Sequence, residues 1–157
     1  MLGLLRAEPM RDPLPSELSF AERQRSISHE GSLARLTCLI RRLESGARVK
    51  VAVLGGSVSA GTSMRVRPDQ AGLFHHKLVR WLEMRFPAAN ISHMNAAMPA
   101  VPPAYMEQCL RLHVPHDVDL VLLELAANMC ATDDCSKGML SVERILRQAR
   151  SHGRSES

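Results

Sequence analysis

One segment near the middle of the chain constrains the fold more than any other: residues 49–63, VKVAVLGGSVSAGTS. Its first half is a short β-branched run, which is typical of a strand buried on both faces of a helix-covered parallel sheet. Two glycines, a serine and, four positions later, a third glycine follow, which let the backbone turn sharply. The segment therefore predicts a buried strand whose carboxyl end leads through a tight turn into a helix.

Helical and strand patterns alternate along the rest of the chain. An amphipathic helix is predicted to begin at Ser32, which can cap it, and Gly46 can close it in a left-handed conformation. The segments NISHMNAA and VDLVLLELA predict a second and a third strand. Further helices are predicted in three places: from Pro68 and Asp69 to about Phe86, after Pro102 and Pro103, and along the apolar positions from Val142 to Ala149.

This alternation predicts the fold class α/β, with a parallel sheet covered by helices on its faces. Because right-handed crossovers place the carboxyl ends of all the strands at one edge, the loops that follow the three strands converge there. These loops are the glycine segment, NAAMPA and LAANMC. A ligand of this protein is therefore expected at that edge.

The length of 157 residues leaves room for one domain. Residues 1–31 have no apolar period and are interpreted as a poorly ordered lead-in, residues 32–150 as the domain, and residues 151–157 as a frayed tail. The opening segment is too short and too weakly apolar for a secretory signal, and no segment is long enough to span a membrane. The compartment is therefore unknown, with a cytoplasmic location as the default expectation.

Charge and cysteine content argue against two classes of function. The net charge of +4 comes from scattered basic residues, and with 3% aromatic residues the chain lacks the stacking side chains of a single-strand nucleic-acid binder. The four cysteines form no CxxC pair, so reduced thiols are expected. A metal loop at Cys130 and Cys135 with Asp133 and Asp134 is a less specific alternative.

Ser57 is the candidate reactive residue. The glycines around it leave its hydroxyl at the tip of the turn, in a setting that favours an anion or a developing oxyanion. A turn or helix-cap role is the alternative for a serine in this position. A phosphate-binding loop is disfavoured, since Thr62 stands where that motif requires lysine.

Three short blocks together resemble a known family. GGSVSAG resembles the GDSxxxG nucleophile block of the SGNH (GDSL-type) hydrolases, NAAMPA is similar to their second block, and LAAN is similar to their third block, G-x-N. The resemblance covers about residues 32–150. It implies a three-layer α/β/α, flavodoxin-like parallel sheet, here incomplete, with about three strands in the order 2-1-3.

The resemblance also implies roles for three residues. Ser57 would be the nucleophile and would donate its backbone N–H to the oxyanion, and the backbone N–H of Ala100 and the side-chain amide of Asn128 would be the other oxyanion donors. The implied reaction is hydrolysis of an acyl ester or a carbohydrate O-acetyl ester through an acyl-serine. The implied partner is a small-molecule or carbohydrate ester, and no cofactor and no metal are expected.

The sequence departs from the family in several places, including Ala126 and Met129 in the third block. Gly56 replaces an aspartate, which is expected to alter only the support of the turn, and Ala100 replaces a glycine, which strains the loop if the position needs a positive φ. The D-x-x-H block that carries the catalytic histidine is missing after Asn128, so the domain is interpreted as truncated. An ester hydrolase impaired for lack of a base is therefore expected, and a catalytically silent binding module with the same fold is the alternative.

Two further expectations concern the far ends of the strands and the open edge of the sheet. The histidines and aspartates of HVPHDVD precede the third strand, about 20 Å from the Ser57 edge, so this cluster is interpreted as a core histidine and a structural turn. A sheet of three strands also leaves a strand edge uncovered, which predicts self-association through that edge.

Overall fold

The computed structural model of the protein describes residues 19–62, 72–130 and 134–152. A 3₁₀ turn at Ala126–Asn128 lies between the third strand and the last helix. In chain order the helices and strands are α1 (Phe20–Arg25), α2 (Ala34–Glu44), β1 (Arg48–Gly55), α3 (Ser57–Ala60), α4 (Phe74–Arg85), β2 (Asn90–Asn95), α5 (Pro103–His113), β3 (Leu120–Glu124) and α6 (Ser136–His152).

The three strands form one parallel sheet in the order β2-β1-β3. Arg48 pairs with Asn90 on one side of β1, and Val51 pairs with Leu120 on the other. The predicted fold class and strand order are thereby confirmed, and the architecture is that of an incomplete flavodoxin-like α/β fold. The carboxyl ends of the strands meet at one edge, where the three predicted loops begin.

Alternate residues of β1 face two apolar cores, one on each side of the sheet. Val49 and Val51 pack with residues of α2 and α4, whereas Ala52 and Leu54 pack with residues of α5 and α6. Such burial on both faces explains why β1 is almost entirely apolar. The result is the predicted three-layer arrangement.

The outer edge of β3 borders a groove between α2 and α6. The groove has a volume of about 340 Å³ and includes Leu36 of α2 and Leu146 of α6, whose surfaces are 47% and 51% exposed. Within the described residues no strand pairs with this edge.

None of the described helices is long and apolar enough to cross a membrane.

The ends of two helices differ from the prediction. Helix α2 begins at Ala34 with Leu33 as its N-cap and no side-chain cap, so the capping role predicted for Ser32 is wrong. Gly46 does follow this helix with a φ of 75°, as predicted. Helix α4 begins at Phe74, and the predicted start at Pro68 and Asp69 lies outside the described residues.

A short helix lies within the segment that the sequence suggested to be a lead-in. Helix α1 has six residues, and Ser19 and Glu22 form a capping box at its start. The spacing S-x-x-E was visible in the sequence and could have indicated this helix. No residue of α1 is buried, so the helix stands outside both cores.

Candidate active site

Ser57 lies directly after β1, at the first position of α3. Its side chain is half-buried, and Gly61 ends the short helix in the left-handed conformation at a φ of 77°. Within the described residues the Ser57 hydroxyl has no hydrogen-bond partner, whereas its carbonyl oxygen accepts from Thr62. The hydroxyl is therefore not engaged in capping the helix that it begins.

The two glycines before Ser57 are required by close neighbours rather than by their own dihedral angles. A Cβ atom on Gly55 would lie 2.5 Å from Oγ of Ser59, and one on Gly56 would lie 2.8 Å from Nδ2 of Asn128. The expectation that Gly56 alters only the support of the turn is therefore incomplete. The missing side chain provides the space that the amide of Asn128 occupies.

Ala100 lies in the turn after β2 and is exposed. Its φ is 59°, and it is the one non-glycine residue with a positive φ in the part of the chain that the structure describes. The strain expected for an alanine in place of a glycine is thus present, since the left-handed region costs an L-residue about 1 kcal/mol. This conformation sets the direction of the backbone N–H that the resemblance implicates.

Asn128 is the last residue of the 3₁₀ turn after β3. Its Nδ2 atom donates a hydrogen bond of 2.9 Å to the carbonyl oxygen of Val101, and the same amide lies against Gly56. Asn128 therefore contacts the neighbours in sequence of both Ser57 and Ala100. The structure brings the three predicted loops together at one edge of the sheet.

The loop that carries Asn128 is held to α6 in two ways. Cys130 and Cys135 form a disulfide, so the expectation of reduced thiols is wrong for this pair; Cys38 and Cys109 are free. A Cβ atom on Gly138 would overlap the carbonyl oxygen of Met129, so the first turn of α6 touches the backbone of the loop. Only glycine permits this approach.

A polar network that was not predicted from the sequence joins α3 to β3, α4 and β2. Ser59, which is fully buried, donates from its hydroxyl to the carboxylate of Glu124 over 3.0 Å. Its carbonyl oxygen accepts from Nε2 of His75 and from Nδ2 of Asn95, each at 3.0 Å. The spacing of His75, Val79 and Leu82, which are all buried, was the available signal that His75 faces the core.

Nδ1 of His75 lies 3.1 Å from Nε2 of His93 on β2. Because the carbonyl of Ser59 requires a proton on Nε2 of His75, Nδ1 of that ring accepts the bond from His93. Burial lowers the pKa of His75, and burial together with the neighbouring His75 and His76 lowers the pKa of His93 to about 4. Both ring nitrogens of His75 and Nε2 of His93 therefore bind other groups and not the Ser57 hydroxyl.

The residues of HVPHDVD lie at the opposite ends of the strands, as predicted. Asp119 accepts a hydrogen bond of 2.8 Å from the backbone of Lys50 and pairs with Arg42, and Asp117 pairs with the side chain of Lys50. His113 packs against the ring of Tyr105, and its buried Nε2 has no partner among the described residues. The aspartates hold the turn into β3, which agrees with a structural role.

No protein-family model and no curated protein sequence matches this chain. Two solved structures are similar in fold: a two-domain esterase (CEX) active on acetylated mannans, and the same kind of enzyme co-crystallised with mannopentaose. Their TM-scores are 0.68 and 0.70, with 19% and 22% sequence identity. The likeness covers 78% and 79% of this chain and 32% and 33% of the solved chains, so this chain spans about a third of their length.

Proposed function

We propose that this chain is an SGNH-type domain that hydrolyses acyl esters through Ser57. One observation carries the proposal: the amide of Asn128 lies against Gly56 and binds the carbonyl of Val101, beside Ser57 and Ala100. These contacts join the three loops that carry the proposed hydroxyl, backbone amides and carboxamide, at the edge where ligands of open α/β sheets bind, and this supports the proposal. The fold shared with an esterase supports the same reaction class.

The chemistry assigns one task to each group. Oγ of Ser57 attacks the carbonyl carbon of the ester, and the carbonyl oxygen becomes an oxyanion. The backbone N–H groups of Ser57 and Ala100 and the second N–H of the Asn128 amide donate to this oxyanion; each such donor is typically worth about 10²- to 10³-fold in rate. Collapse of the intermediate releases the alcohol, and water then hydrolyses the acyl-serine.

The reaction is expected to be slow in this chain. The described residues place no histidine on the Ser57 hydroxyl, so the proton of that hydroxyl passes to water rather than to a positioned base. Serine hydrolases that lose a member of their triad keep about 10³- to 10⁴-fold catalysis over water from oxyanion stabilisation and binding. Activity of this residual size is what the proposal predicts.

The proposed substrate class is an O-acetylated carbohydrate. The structurally similar esterase acts on acetylated mannans, which favours an acetyl group on a polysaccharide over a long acyl chain. Acetylated manno-oligosaccharides are therefore the first substrates to test.

The decisive experiment compares the wild-type chain with Ser57→Ala on p-nitrophenyl acetate and on acetylated mannan. Wild type is expected to exceed Ser57→Ala on both substrates. Added imidazole, which can act as a diffusible base, is expected to increase this difference, with Ser57→Ala plus imidazole as the matched blank. Equal rates for the two proteins at every imidazole concentration would contradict the proposal.

A catalytically silent binding module is the second candidate, and it is favoured because the Ser57 hydroxyl has no hydrogen-bond partner among the residues that the structure describes. Such a module would bind an acetylated oligosaccharide without releasing acetate. Calorimetric titration alongside an acetate assay separates the two candidates, since binding without Ser57-dependent acetate release would favour the module.

A further inference from the structure

Three histidines from two elements meet beside α3. His75 and His76 are consecutive residues of α4, and His93 lies on β2; one ring nitrogen of each lies within 4.8 Å of those of the other two. We call these residues the three-histidine cluster. The ring centroids are 4.7 to 5.0 Å apart in all three pairs.

His75 is held as a metal-ligating histidine is usually held. Its Nε2 atom donates to the carbonyl oxygen of Ser59, which fixes the proton on that nitrogen and leaves the lone pair of Nδ1 towards His93. A backbone carbonyl in this position orients the ring and raises its basicity as a ligand. The ring is fully buried, so its orientation is set by packing as well.

The separation of the nitrogens fits a small cation. In a tetrahedral zinc site the bonds to histidine are about 2.0–2.1 Å, so that two ligand nitrogens lie about 3.3 Å apart. Nδ1 of His75 and Nε2 of His93 are already 3.1 Å apart. The most distant nitrogens of the cluster lie within 4.8 Å and must approach each other by up to about 1.5 Å, which a half-buried His76 side chain can do.

We propose that the three-histidine cluster binds a divalent transition-metal cation of the zinc type. The cation takes the place of the hydrogen between Nδ1 of His75 and Nε2 of His93. Nε2 of His93 loses its proton and Nδ1 of the same ring gains one, so that the ring stays neutral. His76 is the third ligand. Since His76 and His93 are half-buried, water takes the fourth position, and the bound cation ties α4 and β2 together.

The competing interpretation is that the three rings form only a hydrogen-bonded cluster. Two measurements distinguish this interpretation from the proposal: equilibrium dialysis against Zn²⁺, and titration with Co²⁺, whose visible spectrum reports tetrahedral coordination. The protein is the full chain, freed of any affinity tag, treated with chelator and kept without thiol reductant so that the disulfide stays closed. The variants are His93→Asn and His76→Gln, with His29→Gln as a matched control at an exposed histidine.

Wild type and His29→Gln are expected to bind one equivalent with a dissociation constant of about 1 μM or below, and both cluster variants at least about 100-fold more weakly. Circular dichroism checks that the variants fold, and His76→Gln, at a residue that is only half-buried, stays informative if His93→Asn unfolds. Binding weaker than about 100 μM, or equal binding by wild type and His76→Gln, would overturn the proposal. Ester hydrolysis does not enter this measurement, so its outcome is independent of the proposed function.

Discussion

Asn128 and Val101, which are 27 positions apart in the chain, are joined by a hydrogen bond of 2.9 Å from the carboxamide nitrogen of one to the carbonyl oxygen of the other. The bond uses one N–H of the amide and fixes the direction of the second. A donor that is oriented before substrate arrives costs little reorganisation when charge develops on the substrate. The bond therefore makes Asn128 a preorganised donor in the proposed site.

The first prediction concerns this amide. Asn128→Ala is expected to lower the rate of ester hydrolysis, measured after subtraction of the Ser57→Ala background, by about 10²- to 10³-fold. Asn90→Ala, an exposed asparagine at the start of β2, is the matched control and is expected to leave the rate unchanged. Steady-state kinetics on p-nitrophenyl acetate measure both, and an unchanged rate in Asn128→Ala would remove this residue from the site.

Gly138→Ala is expected to displace the loop that carries Asn128, because the new methyl group would meet the carbonyl of Met129. Overpacking of this kind typically costs about 1–3 kcal/mol of unfolding free energy, and the displaced amide is expected to lower activity as well. Gly72→Ala is the control, since a Cβ atom there meets nothing within 4 Å. Chemical denaturation and the ester assay report the two effects; equal behaviour of the two variants would contradict the close contact.

Ala100→Gly tests the strained turn after β2. Glycine removes the cost of a positive φ, which offsets its greater backbone entropy, so the unfolding free energy is expected to stay equal or to rise by up to about 1 kcal/mol. Ala104→Gly, at an exposed position of α5, is the matched change and is expected to lower it by about 0.5–1 kcal/mol. Urea denaturation compares them, and an equal loss in both variants would speak against the strain at Ala100.

The stability of the metal-free protein is expected to fall between about pH 6.5 and pH 4. The pKa of His93 is about 4 in the folded chain and about 6.5 in the unfolded chain. In this interval the unfolded chain binds a proton that folded His93 does not, so the unfolding free energy decreases as the pH falls, by about 1–3 kcal/mol. The neighbouring His75, whose pKa is also lowered, adds to the same trend.

Urea denaturation in the presence of chelator, at several pH values, measures this effect. His93→Gln removes the titrating group at position 93 and is expected to flatten the profile between pH 6.5 and pH 4. Identical slopes for wild type and His93→Gln would show that His93 is not responsible.

The uncovered edge of β3 leads to a prediction of self-association, with a second copy of the chain covering the groove between α2 and α6. Leu36→Lys combined with Leu146→Lys introduces charge into the groove at two exposed positions and is expected to yield monomer. Leu112→Lys, at a residue that is 84% exposed on α5, is the control and is expected to behave as wild type. Sedimentation velocity over a range of concentrations decides, and a wild-type monomer throughout would exclude this association.

Local patterns predicted most of the sheet because β1 and β3 each have a strong signal of their own, whereas the signal of β2 is weaker. The aliphatic runs of β1 and β3 and the two prolines at the start of α5 are visible without knowledge of any contact. The convergence of the loops at Ser57 and Asn128 followed from the handedness of parallel connections rather than from local sequence. Its details, such as the space above Gly56, depend on contacts between distant segments.

The polar network beneath Ser57 was not predicted because it joins segments that are distant in the chain. At the start of α4 the larger apolar residue, Phe74, is 44% exposed, whereas the adjacent His75 is fully buried. His75 is accommodated there because Ser59 accepts its proton and His93 donates to it. Neither partner is near it in the chain, and the pairing of Cys130 with Cys135 was likewise not indicated by any motif.

The strand order has a consequence for how the sheet assembles during synthesis. Strand β1 is the first of the three to leave the ribosome, and it occupies the central position. Strand β2 and later β3 can then add to its two opposite sides, so that neither has to insert between strands that are already paired. Assembly from the middle outwards thus follows the order of translation.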